Sequence, residues 1–207
     1  MSIFRKELPP ELAERVPPGN HLTKGWPVLH FSPTPAFDEA TWDLSVTGLC
    51  EDPFTLSYSE LKDLANVTLT ADFHCVTGWS ALDFAWTGVS FKTIAEMAKP
   101  APNARWVTVH CEYDYSSELS LEAMMDDDVL LAWAKDGADI EADHGFPLRL
   151  VVPKRYAWKS AKWLRGIEFT ERNVRGFWEM RGYHVHADPW TEERYSYQES
   201  PGAELEP

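Results

Sequence analysis

The sequence predicts an α+β fold of mixed sheets and short helices. Strand-like runs outnumber helical ones, and the two do not alternate regularly as a doubly wound α/β chain requires. Gly, Pro or Asp clusters also punctuate nearly every run. Residues 1–35 carry Pro9, Pro10, Pro17, Pro18, Gly19, Gly25, Pro27, Pro33 and Pro35 and read as an extended arm that wraps the domain. The spacing predicts a strand over 42–47 that stops at Gly48, and a short helix over 59–64 behind a serine or threonine-type cap. A strand follows over 67–73, alternating apolar and polar, and a helix over 91–98 is entered from Ser90 and ended by Pro100. Further strands are expected at 105–111, 117–121, 129–133, 148–152 and 163–169, and 173–207 reads as a wrapping C-terminal segment.

Composition points to a single soluble domain over 1–207. A chain of 207 residues, 44% hydrophobic, buries a full core without disulfide or metal staples. Nothing at the start resembles a signal peptide and no run is long enough to span a bilayer, so the expected location is cytoplasmic, with no membrane partner. Three widely spaced cysteines without a C-x-x-C fit reduced thiols. A net charge of −14 argues against nucleic acid, because phosphate contacts would work against the protein's own field. Yet Lys154, Arg155, Lys159, Lys162 and Arg165 lie together with no acid among them. That cluster reads either as a site for a specific anion or as a solvated basic face.

Cys75 continues the apolar side of the alternation over 67–73 and is followed at once by Val76-Thr77-Gly78-Trp79, so its thiol is either a core group or a soft metal ligand at a loop. His74, Cys75, His110, Cys111, His184 and His186 offer zinc-type ligands. Adjacent residues on a strand face opposite ways, however, so each His-Cys pair supplies one ligand at most. Cys50 and Cys111 read as boundary or core thiols. No G-x-G-x-x-G or P-loop pattern is present, and Gly78-Trp79-Ser80 lacks the small residues of a nucleophile elbow. A zinc-dependent hydrolase and a non-catalytic ligand-binding domain remain the alternatives to the reading that follows.

The run from His144 through Leu148–Val152 and Lys159-Ser160-Ala161-Lys162 to Leu164 resembles the molybdopterin-binding domain of the sulfite oxidase superfamily. The Cys75 segment is similar to the family's metal-ligand loop, and Tyr113–Leu121 followed by Asp128–Ala132 to the segment with its active-site tyrosine. Gly176-Phe177-Trp178-Glu179, Gly182-Tyr183-His184 and Asp188-Pro189-Trp190 resemble the closing segment of bacterial members. The order of these segments over residues 33–190 carries more weight than any one of them.

The resemblance implies a sulfite oxidase-like fold, a molybdenum–molybdopterin cofactor and oxygen-atom transfer. It makes Cys75 the metal ligand and Tyr115 a catalytic donor. His30, His74, Cys75, His144, Arg149, Trp158, Lys159, Ser160 and Lys162 become the cofactor-binding set. Lysine, serine and backbone N–H groups suit a pterin phosphate, and arginine presents a planar donor fork. Sulfite-oxidising members place arginines where this chain has Trp79 and Leu29, which favours a neutral sulfoxide or N-oxide over sulfite. Trp79, Trp86 and Trp158 are candidates to line an apolar pocket. The length leaves no room for a dimerisation or haem domain. The expected assembly is therefore a monomer that takes a small-molecule substrate and works with a separate electron-transfer protein.

Overall fold

A computed structural model of the chain describes residues 8–205. The first seven residues of the expected arm and the last two of the C-terminal segment lie outside the described residues. The arm holds only a four-residue helix, α1 (Pro10–Ala13), and a two-residue strand, β1 (His21–Leu22). Then follow β2 (Asp43–Gly48), β3 (Phe54–Ser57), α2 (Tyr58–Asp63), β4 (Asn66–His74), β5 (Trp79–Ser90), α3 (Phe91–Ala98) and β6 (Trp106–Cys111). The chain continues through β7 (Ser116–Ser120), α4 (Leu121–Met124), β8 (Leu130–Lys135), β9 (Ala138–Asp139), β10 (Arg149–Val151) and β11 (Leu164–Thr170).

Both expected helices form where local chemistry directs them. Ser57 caps α2 in a reciprocal box with Glu60, and the Ser90 hydroxyl accepts from the Lys92 amide at the start of α3. Four strands, β1, β3, β5 and β9, have no counterpart among the expected ones. β3 is short, but β5 is the longest in the chain and the centre of the first sheet. Its two faces are both covered and its register shifts at Thr87/Gly88, so no simple alternation survives in its sequence.

The first sheet runs β1-β5-β8-β10, with β4 on the free edge of β5 and β9 on β8. The second runs β3-β2-β11-β6-β7, parallel only between β2 and β11. Val46, Val107, Val109, Ile167 and Phe169 of the second sheet meet Val89, Leu131, Trp133 and Leu150 of the first, with Phe91 and Ile94 of α3 completing this core. The opposite face of the first sheet carries Phe73, Trp86, Leu130, Ala132 and Val151 under Trp26 of the arm. β8 is thus buried on both faces, which accounts for its unbroken apolar run Val129–Trp133. No helix among the described residues is long and apolar enough to cross a membrane.

Candidate active site

Cys75 sits in the tight connection between β4 and β5. Its amide donates to Trp79 O (2.8 Å), and the Gly78 amide returns to Cys75 O (3.0 Å). Gly78 adopts φ +96°, a conformation that glycine takes without steric cost. Both ends of the chain clamp this turn. Asn20 of the arm donates to Cys75 O and Trp79 O at 3.3 and 3.0 Å, and Arg194 donates to Val76 O. The Cys75 thiol lies 3.1 Å from the Thr77 hydroxyl. Burial pushes its pKa up, while the Thr77 hydrogen bond and the charge of Arg194 oppose that push.

The thiol faces a cavity of about 340 Å³, enough for a ligand of some size. Cys75, Thr77 and Trp79 form one side; Arg149, Trp158, Ser160 and Lys162 form the wall between β10 and β11; Tyr115 enters from the turn before β7. Leu29, His30 and Phe31 come from the arm, and Trp178 and Tyr183 from the C-terminal segment. Among the described residues no Asp or Glu lines this cavity, although the protein as a whole carries a charge of −14.

Arg149 is almost wholly buried. Its guanidinium donates to His144 O (2.7 Å) and Ser160 O (2.9 Å) and lies 5.0–5.4 Å from the rings of Phe73, Trp26 and Trp86. Burial pulls its pKa down to about 9. Lys162 donates to Asp143 O (2.7 Å), and burial together with the neighbouring Arg149 lowers its pKa to about 7. His144 stacks on Trp26 with ring centres 3.7 Å apart, and its buried Nδ1 has no partner. Burial, then Lys162 and Arg149, lower its pKa to about 4. Gly145 lets these groups converge: a β-carbon there would stand 3.0 Å from that of Arg149 and 3.3 Å from that of Lys162. The Tyr115 hydroxyl donates to Trp158 O (2.9 Å), and burial followed by the charge of Glu179 raises its pKa well above the ordinary value.

The cavity therefore brings together Cys75, Tyr115, His30, His144, Arg149, Trp158, Ser160 and Lys162. Two residues of the expected set are not on its wall, and their placement corrects the sequence reading. His74 follows the strand alternation away from Cys75 and bonds Ser80 Oγ through Nδ1 at 2.9 Å. Lys159 turns into the protein, donates to Glu118 O (2.6 Å) and forms a fully buried ion pair with Glu179. Of the three tryptophans, Trp79 and Trp158 line the cavity, and Trp86 lies behind Arg149. The zinc-type set is dispersed. His110 pairs with Glu168 at 2.8 Å, Cys111 lies in the core between the sheets, and no three His, Cys, Asp or Glu among the described residues converge as metal ligands. Asn20, Trp26 and Arg194 also reach the site, and no motif in the sequence points to them.

A family profile described as oxidoreductase molybdopterin binding domain matches residues 31–178. The chain belongs to this family. Its cofactor is molybdenum held by molybdopterin. The uncharacterized oxidoreductase YuiH of Bacillus subtilis is 43% identical over 94% of this chain and 98% of its own length. A putative protein-methionine-sulfoxide reductase subunit, YedZ1 of Azospira oryzae, is 30% identical over 70% of this chain and 55% of its own length. The sulfite oxidase of Arabidopsis thaliana is 28% identical over 73% of this chain and 48% of its own. The chain thus spans nearly all of the first relative but about half of the other two. The crystal structure of the sulfane dehydrogenase SoxCD from Paracoccus pantotrophus shares the fold, with a TM-score of 0.65 at 20% identity over 82% of this chain and 55% of that one.

The residues on the wall fit such a cofactor. A thiol suits a soft metal centre. A buried guanidinium and a half-buried lysine without a carboxylate on the wall suit an anionic group, because a charge withdrawn from water without a partner is costly until a counter-charge arrives.

Proposed function

We propose that this molybdopterin oxidoreductase transfers an oxygen atom from a small neutral acceptor, a sulfoxide or an N-oxide, using electrons from a separate one-electron carrier protein. The observation that carries the proposal is the shared cavity. One side bears the Cys75 thiol, another wall bears an acid-free set of cationic and neutral donors, and the apolar lining includes Leu29, Phe31 and Trp178. When bound, the cofactor supplies a two-electron couple able to give or accept one oxygen. Cys75 is its covalent ligand. Arg149, Lys162 and Ser160 hold its anionic part through N–H and O–H donors, with His30, His144 and Trp158 packing beside them. The raised pKa of Tyr115 keeps its phenol protonated, so the O–H, turned from Trp158 O, donates to a substrate oxygen rather than acting as a base.

Trp79 and Leu29 both line the cavity where sulfite-oxidising relatives are expected to carry guanidinium groups. The indole N–H of Trp79 is buried without a partner and carries no charge to balance a dianion. Arg149 and Lys162 favour an anion such as sulfite, but both already donate to backbone carbonyls and are assigned here to the cofactor. The names of the Azospira relative and of the Campylobacter jejuni catalytic subunit, which is 27% identical, point toward sulfoxide reduction. The test offers molybdenum-loaded protein a sulfoxide and N-oxide panel with reduced dye and, separately, sulfite with an electron acceptor. Turnover of the neutral acceptors is expected. Efficient sulfite oxidation without sulfoxide or N-oxide turnover would overturn the assignment.

A further inference from the structure

We propose that the surface around Tyr195 and Tyr197 is the docking site for a cationic one-electron carrier protein, coupled to the Cys75 turn through packed aromatic rings. This rests on the reading above, in which electrons arrive from a separate carrier. Trp158 and Tyr183 both stand on the cavity wall, with ring centres 5.0 Å apart. Tyr183 is 5.9 Å from Tyr195, and Tyr195 stacks on Tyr197 at 5.6 Å with planes 17° apart. Tyr197 is 82% exposed. Four rings in contact thus join the cavity to solvent.

The backbone fixes this row. Tyr183 and Tyr195 face each other across an isolated antiparallel bridge, flanked by His184 N to Arg194 O (3.2 Å) and Ser196 N to Gly182 O (2.9 Å). A second route leads inward from the same segment. Arg194 donates to Val76 O beside Cys75, to Pro18 O (3.1 Å) and to Asn20 Oδ1 (3.2 Å), and its guanidinium lies over the Tyr156 ring at 4.9 Å. Exposed Trp190 meets His74, the neighbour of Cys75, at 6.1 Å.

Charge selects the partner. Residues 188–205 contain Asp188, Glu192, Glu193, Glu199 and Glu204; Arg175 pairs with Glu199 and Glu204, and the side chain of Arg194 is turned inward, so Asp188, Glu192 and Glu193 leave the segment net acidic. Exposed aromatics within an acidic border match a carrier whose redox group is ringed by lysines, and small interfaces of this kind suit brief electron-transfer encounters. Each encounter passes one electron from the reduced carrier to the site. Two encounters and two protons remove one oxygen from a sulfoxide, leaving a sulfide and water. The rings provide a contact path and are themselves neither oxidised nor reduced.

The test uses a lysine-rich c-type cytochrome as probe, titrated calorimetrically against the full chain at low ionic strength. Replacing both rings, Tyr195→Ser with Tyr197→Ser, is expected to weaken binding about tenfold. Tyr197→Phe keeps the ring and should bind as the parent does. Asp126→Asn with Asp127→Asn, in a separate acidic run, should change binding less than about twofold. In the molybdenum-loaded protein the double tyrosine variant should lose cytochrome-linked electron transfer and keep dye-driven turnover. Unchanged binding by the double tyrosine variant, or equal weakening by the aspartate control, overturns the docking site. Failure of the loaded parent protein to reduce any acceptor with dye overturns the functional reading instead and leaves the binding result standing.

Discussion

The segment from His144 to Leu164 places two lysines three residues apart, and their surroundings differ. Lys159 is closed in with Glu179 and the carbonyl of Glu118, so its charge is balanced inside the protein. Lys162 shares the cavity wall with Arg149 and His144, with no carboxylate on that wall among the described residues. Lys159 has a carboxylate partner in contact, whereas burial and the neighbouring Arg149 lower the pKa of Lys162 to about 7. A buried charge with its own counter-ion holds the fold together. Cations withdrawn from water without one, as Arg149 is fully and Lys162 in part, belong to a site that expects an anion. The Lys159–Glu179 pair also secures the C-terminal segment that carries Trp178 and Tyr183 onto the cavity, so the balanced region positions the unbalanced one.

The largest effect is expected at the balanced end. Glu179→Ala leaves Lys159 buried and unpaired and should cost about 3–5 kcal/mol, while Lys159→Met with Glu179→Leu should recover most of that loss. Denaturant unfolding of the three proteins checks both expectations, and a mild effect of the single change would mean that the pair is not the anchor described. A smaller effect concerns Glu118, which burial raises to about 7 from an ordinary 4.5 despite the hydrogen bond from Thr108. A carboxyl raised in the folded state stabilises fully below its unfolded pKa, and that contribution is lost as pH rises through about 7. Glu118→Gln should therefore flatten the fall in stability between pH 4.5 and 7, by on the order of 2 kcal/mol. Thermal melts across that range measure it, and an unchanged pH slope would count against a buried, protonated Glu118. The smallest stability effect belongs to the unbalanced end. Lys162→Met removes a half-buried lysine whose pKa is already lowered to about 7, so the cofactor-free protein should stay within about 1 kcal/mol of the parent. Cofactor occupancy should nevertheless fall, and equal occupancy would remove Lys162 from the cradle.

The sequence made the local parts of this molecule legible. The caps of α2 and α3 and the period-two pattern of β4 need only neighbouring residues, and the thiol of Cys75 before a glycine turn is equally local. β5 escaped because two covered faces and a register shift erase its period. Asp83 within it has φ +62° and donates its amide to Asp72 across the strand pair, a further interruption that no propensity signals. In the site, the order of segments identified the cavity wall, but two lysines in one loop look alike until the backbone is turned. Lys159 N to Tyr156 O and Ser160 N to Ala157 O form the turn that sends Lys159 inward. Asn20 and Arg194 reach the Cys75 turn from 55 and 118 residues away, and neither lies in a periodic run. Contacts of that range leave no local pattern to read.

The central claim is that Cys75 and the acid-free wall opposite it hold a molybdenum centre. Its most direct test is the molybdenum-to-protein ratio of the parent and of Cys75→Ser, both purified from cells that synthesise molybdopterin. Near-stoichiometric molybdenum is expected in the parent and at least a tenfold lower ratio in the variant. A variant that keeps its molybdenum and its activity, or a parent that carries zinc in its place, would contradict it.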